Sequence, residues 1–140
     1  MIAAALGADK EEIKETGSRS GPLGWLRSGK EASQRKEPQV KPLKADPAAY
    51  DLVVFGTPVW AGIVSSPVRG FIKQYRDKLP GAAFFCTMGG DDPAKTFPEM
   101  EEACSVKPAS TLALRKHKVD GGEAQATVAG FADALKAQGG

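Results

Sequence analysis

Apolar residues are unevenly spread along this chain, and only its second half alternates in a regular way. Leu52 to Gly56 is apolar at consecutive positions, the pattern of a short strand buried on both faces. Val68, Phe71, Ile72, Tyr75 and Leu79 follow at i, i+3, i+4, i+7 and i+11, the stripe of an amphipathic helix. Ser66 is placed to cap that helix and Pro67 to occupy its first position. Pro80-Gly81 then turns the chain into a second apolar strand, Ala82 to Thr87. Thr96 and Glu99 have capping-box spacing ahead of Met100, Ala103 and Cys104, although Pro98 could shift that start. Thr111 to Leu114 reads as a third strand, and Val128, Phe131 and Leu135 stripe a last helix ending at Gly139-Gly140.

The first half is less regular. Ile2-Ala3-Ala4-Ala5-Leu6 is helix-forming and Gly7 is a good stop, yet a helix this short cannot sustain itself in isolation. Asp9 to Thr16 reads as a polar edge strand with Ile13 as its main apolar residue. Gly17 to Ala49 is long for a simple connection. Within it, Pro22 to Lys36 suits a short helix with Leu23 and Leu26 on one face, and Glu37 to Pro47, with three prolines, suits an extended linker.

Strands alternating with helices call for a parallel sheet with right-handed crossovers and helices on both faces, an α/β fold of three layers. In such sheets ligands bind at the carboxyl ends of the strands. Two segments fall there. Thr57-Pro58-Val59-Trp60-Ala61-Gly62 offers an indole as a lid for a flat aromatic ligand, beside glycine-flanked backbone. Thr87-Met88-Gly89-Gly90, leading into Asp91-Asp92, offers glycines that permit positive φ and expose main-chain amides. A packing role for Trp60 on the following helix is the alternative, and the Gly-rich segment one strand later favours the ligand. Trp25 is read as core packing, and Asp91-Asp92 as turn and helix-cap residues.

Composition narrows the field without adding chemistry. A chain of 140 residues with 41% apolar and 26% charged content is one ordinary globular domain. A net charge of +2 gives no argument for nucleic acid. The local basic run from Arg19 to Lys44 reads as a solvated face. Cys86 and Cys104 lack metal or disulfide spacing and read as small core residues. His117 is the one histidine, in Arg115-Lys116-His117-Lys118 at a solvated strand exit, so a triad or metal cluster is not expected. No apolar stretch has the length of a membrane span, and the first residues do not read as a secretory signal, so a cytoplasmic location is expected.

The segment Tyr50 to Gly90 resembles the flavodoxin-like family, in particular its smaller flavodoxin-domain, FMN-binding members. Gly56-Thr57-Pro58-Val59-Trp60-Ala61-Gly62 and Phe84-Phe85-Cys86-Thr87-Met88-Gly89-Gly90 are similar to that family's two isoalloxazine-contacting loops. The likeness extends back through Gly21-Pro22-Leu23-Gly24-Trp25-Leu26-Arg27-Ser28-Gly29 and forward to the last helix. It implies a doubly wound sheet of order 2-1-3-4-5 in one domain over 1–140, with FMN held by Thr57, Pro58, Val59, Trp60, Ala61, Gly62, Thr87, Met88, Gly89 and Gly90. No side chain would act as acid or base, because the flavin carries the chemistry of electron transfer or flavin-dependent reduction. The electrons would pass to a redox partner protein or a small-molecule acceptor.

One departure from the family bears on affinity. Its first, central strand and the Ser/Thr/Gly loop that holds the FMN phosphate do not precede Met1. The expectation is an N-terminally incomplete domain with weakened or lost FMN affinity. Either Asp9–Thr16 closes directly against Leu52–Phe55, a second chain donates a strand, or Met1 is internal to a longer protein, the reading favoured by the helical stub before Gly7. Thr16-Gly17-Ser18-Arg19-Ser20-Gly21 is a weaker substitute for the phosphate loop. The rival function is a non-catalytic, partner-binding or dimerising module, or a truncated fragment, without cofactor.

Overall fold

The computed structural model describes residues 1–16, 37–60, 63–90 and 93–139. The helix expected over Pro22–Lys36, with Trp25, lies outside the described residues, as does most of Thr16–Gly21. Helix α1 spans Ile2–Leu6, strand β1 Val53–Trp60, strand β2 Ile63–Val64 and helix α2 Ser66–Tyr75. Strand β3 spans Ala82–Met88, helix α3 Thr96–Cys104, strand β4 Thr111–Arg115, helix α4 Lys116–Asp120 and helix α5 Gln125–Gly139. None of these helices is long and apolar enough to cross a membrane.

The sheet has the order β2-β1-β3-β4. β1, β3 and β4 are parallel neighbours, with Phe55 beside Phe84 and Phe85 beside Leu112. β2 pairs antiparallel with the end of β1, Val59 beside Val64 and Trp60 beside Ile63. The expected α/β sheet is therefore present, with its three main strands in the anticipated succession. The sequence reading ended the first strand at Gly56; the structure carries it to Trp60 and folds it back as a hairpin. The gain is apolar: Val59, Ile63 and Val64 are all buried.

Alternation along the strands builds two cores. On one face Phe55, Phe84, Val64, Val68, Phe71, Ile72, Met100 and Cys104 pack beneath α2 and α3. Phe55 sits at the centre, its ring 5.4 Å from that of Phe71 and 5.0 Å from that of Phe84. On the other face Ala83, Leu112, Leu114, Val128, Phe131 and Leu135 pack beneath α5, and α1 lies against α5 with Ile2, Ala5 and Leu6 half-buried. This explains how so short a helix persists: tertiary contact, capped by Gly7 at φ 62°, replaces the stability it lacks alone.

Asp9–Thr16 does not form the expected edge strand, and it does not close against β1. Its main-chain bonds go instead to the segment before β1. Thr16 N–H donates to the Gln39 carbonyl (3.3 Å) and Lys41 N–H to the Lys14 carbonyl (2.6 Å), a single antiparallel bridge between Glu15 and Val40. With Ile13 as its one large apolar residue, the segment gains little from the sheet.

Glu37–Pro47 does more than link. Val40 is buried in the first core, its N–H donating to Gln74 Oε1 (3.0 Å), and Leu43 N–H donates to the Tyr75 hydroxyl (2.9 Å). Both acceptors lie on α2, which this segment crosses at Gly70. A Cβ built on Gly70 would lie 1.8 Å from the Pro38 carbonyl oxygen.

β1 has an open side among the described residues. Val53 N–H donates to the Gly81 carbonyl (2.9 Å), so in a parallel ladder the odd-numbered residues of β1 serve β3. Val54 and Gly56 then face away, and β2 reaches only Val59 and Trp60. Pro58 falls in the same outward set, where its missing N–H breaks no bond to β3.

Gly70→Ala is expected to destabilise the fold by about 1–3 kcal/mol, because the contact is with backbone that cannot rotate away. Denaturant unfolding of the variant beside the parent measures this. An unchanged midpoint would mean that residues 37–40 do not lie on α2.

Candidate functional site

The two segments singled out in the sequence end adjacent parallel strands. Pro58 stands beside Thr87 in register, and Thr57 beside Cys86. Strand alternation then divides the ten residues by face. Thr57, Val59 and Met88 are buried, the last two in a cluster with Cys86 that Phe97 joins. Their side chains are structural and leave only main chain for a ligand. Pro58, Gly89 and Gly90 are exposed and Thr87 is half-buried. Trp60 closes β1 opposite Ile63. Ala61 and Gly62, like Asp91 and Asp92, lie outside the described residues.

Gly89 and Gly90 do not use the positive φ that the sequence allowed them; in the described backbone that conformation belongs to Gly7, Gly122 and Ser105. Their value here is openness. No atom lies within 4 Å of where a side chain would begin on either residue. No hydrogen bond among the described residues uses either N–H. The Gly89 carbonyl, in contrast, is engaged, accepting from Arg115 Nη1 at 3.3 Å. Arg115 ends β4 beside Met88 and so braces the segment from the next strand. The sequence reading had left Arg115 in a solvated exit. That exit is α4, an exposed turn of helix with Lys116 Nζ 2.7 Å from Asp120 Oδ2, which raises the Lys116 pKa. His117 is exposed on it, and no group of three potential metal ligands occurs among the described residues.

The β1–β2 hairpin is fastened at its base and along its outer edge. At the base, the buried Thr57 Oγ1 accepts from Ser65 N–H (3.0 Å) and lies 3.0 Å from Ser65 Oγ. Ser65, not Ser66, precedes the first residue of α2, and its side chain serves this contact instead of capping the helix. Along the outer edge, Val64 N–H donates to Glu99 Oε2 (3.4 Å) and Arg69 Nη2 donates to the Val64 carbonyl (3.3 Å). Arg69 and Glu99 also form an ion pair, with side chains only 8% and 15% exposed. Glu99 therefore does not close the capping box its spacing suggested: α3 starts at Thr96, and Glu99 turns to Arg69 on α2.

Two open clefts, of about 280 and 300 Å³, lie elsewhere, one along Leu43–Pro47 and Tyr75, the other along α3 at Ala94, Lys95, Pro98 and Glu102. The described strand ends present an exposed Pro58 next to a Gly-Gly step whose two N–H donors no hydrogen bond among the described residues uses.

Cys86 is fully buried, and burial pushes its thiol up to about 11. The thiolate is the reactive form, so Cys86 is expected to resist iodoacetamide in native protein at mildly alkaline pH and to react once denatured. Rapid native alkylation would contradict its placement. Thr57→Val is expected to cost about 1–3 kcal/mol, by leaving the Ser65 N–H buried without its acceptor. Thermal unfolding reads this, and no loss of stability would mean the hairpin base is held otherwise.

No family model matches the chain, and no curated protein sequence does. Solved structures do. A flavoprotein in complex with FMN from Lactobacillus acidophilus aligns over 85% of this chain and 83% of its own, at 18% identity and TM-score 0.68. A protein described as a flavoprotein from Bacteroides uniformis aligns over 82% of this chain and 78% of its own, at 20% identity and TM-score 0.69. One from Bacteroides eggerthii, described likewise, aligns over 82% and 76%, at 21% identity and TM-score 0.68. The chain thus shares its overall α/β fold with these proteins.

Proposed function

We propose that the protein binds FMN across the carboxyl ends of β1 and β3 and serves electron transfer or flavin-dependent reduction. The observation that carries this reading is the alignment of Pro58 with Thr87, followed by two exposed glycines whose N–H groups no hydrogen bond among the described residues uses. A flavin ring needs an apolar wall and main-chain donors at its polar edge, and these strand ends supply donors of that kind. The shared fold, seen in an FMN complex among the structural neighbours, supports the same assignment. In this reading Trp60, with Pro58, walls the ring, and Thr87, Met88, Gly89 and Gly90 meet its pyrimidine edge through main chain. Thr57 and Val59 set the course of the strand.

Bound flavin would supply the redox chemistry, and the chain's part is to bind and orient it. Arg115 holds the Gly89 carbonyl through its Nη1 donor. Of Thr16–Gly21, only Thr16 is described, and its N–H is taken by the Gln39 carbonyl. Electrons would leave to a partner protein or a small acceptor.

The open side of β1 favours a second reading, a non-catalytic module that dimerises or binds a partner through that edge. Val53–Trp60 carries no charged residue of the kind that guards exposed edges. The two readings separate cleanly. Quenching of FMN fluorescence on titration with protein, weakened about tenfold by Trp60→Ala, is the outcome of the first. No quenching, with a dimer by light scattering, is the outcome of the second. Binding that is indifferent to Trp60→Ala would overturn the assigned ring wall.

A further inference from the structure

The outer edge of β2 ends the sheet in an unusual way. A strand there would meet the Val64 N–H with a carbonyl and the Val64 C=O with an N–H. Instead Glu99 Oε2 accepts from the N–H and Arg69 Nη2 donates to the carbonyl, while the two side chains pair with each other. The pair therefore has the polarity of a peptide group on a neighbouring strand. It is drawn from two helices, Arg69 from α2 and Glu99 from α3. A nearly buried ion pair is poor value for stability alone, since desolvation offsets much of the attraction. A role in fixing a particular geometry accounts for it better.

We propose that Arg69 and Glu99 are positioning residues that stand in for a strand at the edge of β2 and so set the hairpin that carries Trp60. The chain of contact is short. Val64 is held by the pair, Val59 is held by Val64, and Ser65 is held by Thr57 at the hairpin base. In sequence, helix α3 also comes soon after the Gly89–Gly90 step, with the turn at Pro93–Lys95 immediately before it. The clamp thus ties the elements behind both candidate segments to one ion pair. Its bearing on flavin rests on the proposed FMN site; its bearing on the hairpin does not.

The test uses Glu99→Gln, Arg69→Lys and the exchanged double variant Arg69→Glu/Glu99→Arg. Two readings are taken on each: amide hydrogen exchange over residues 57–65, and FMN affinity. Glu99→Gln keeps an oxygen for the Val64 N–H, and exchange in the hairpin is expected to rise modestly, with α5 unchanged. The exchanged pair restores the charges but reverses the polarity toward Val64. It is expected to leave hairpin exchange raised by about tenfold or more and FMN affinity reduced to a similar degree. Full recovery of hairpin protection in the exchanged pair would overturn the proposal, because an ion pair of either orientation would then suffice. Unaltered hairpin exchange in all three variants would overturn it equally. If the parent protein binds no FMN, the flavin site fails while hairpin exchange still decides on the clamp.

Discussion

The parallel pairing of Val53–Pro58 with Ala82–Thr87 governs this structure, because it fixes what each side chain of both strands can touch. With that register, Phe55 and Phe84 fall on one face and close the aromatic cluster with Phe71 on α2. Ala83 and Phe85 fall on the other face, toward α5. A slip of one residue would send one strand's side chains to the wrong core, separating Phe55 from Phe84, so the register is held by the packing of two cores. The same register brings Pro58 and Thr87 side by side and leaves their strand ends together at one rim.

Two kinds of polar contact then shape that rim. Thr57 and Ser65 close the hairpin base inside the core, where an unmade hydrogen bond is costly. Arg69 and Glu99 close its outer edge, and Arg115 braces the glycine step from the neighbouring strand. Among the described residues the rim is thereby braced from behind, while Pro58, Gly89 and Gly90 stay exposed. On the same side of β1 as β2, but beyond its reach, Val54 and Gly56 face away from β3 with no strand beside them among the described residues.

Much of this could be read from the chain before any coordinates. Consecutive apolar residues at Leu52–Phe55 and Ala82–Cys86 marked the buried strands, and the 3.6-residue stripe from Val68 marked α2. What escaped had physical causes. The β2 hairpin was hidden because Trp60-Ala61-Gly62 read as a loop, although β-branched residues on both sides of a residue-glycine pair are a hairpin signal. Asp9–Thr16 was read by its polarity as an edge strand, and local pattern could not show that its bonds would go to Gln39 and Lys41. Glu99 had the spacing of a cap residue, but its partner lies thirty positions earlier on another helix, beyond any local rule. The strand-end rule grouped the candidate residues; which of the described ones face outward was decided only by strand extension through Trp60.

The most direct test of the site is an amide-resolved NMR titration of the protein with FMN. The account predicts that the largest shifts fall on 57–60 and 87–90, with Gly89 and Gly90 foremost, and that Val128–Leu135 on α5 stays unmoved. Shifts centred elsewhere, or none at saturating flavin, would contradict it.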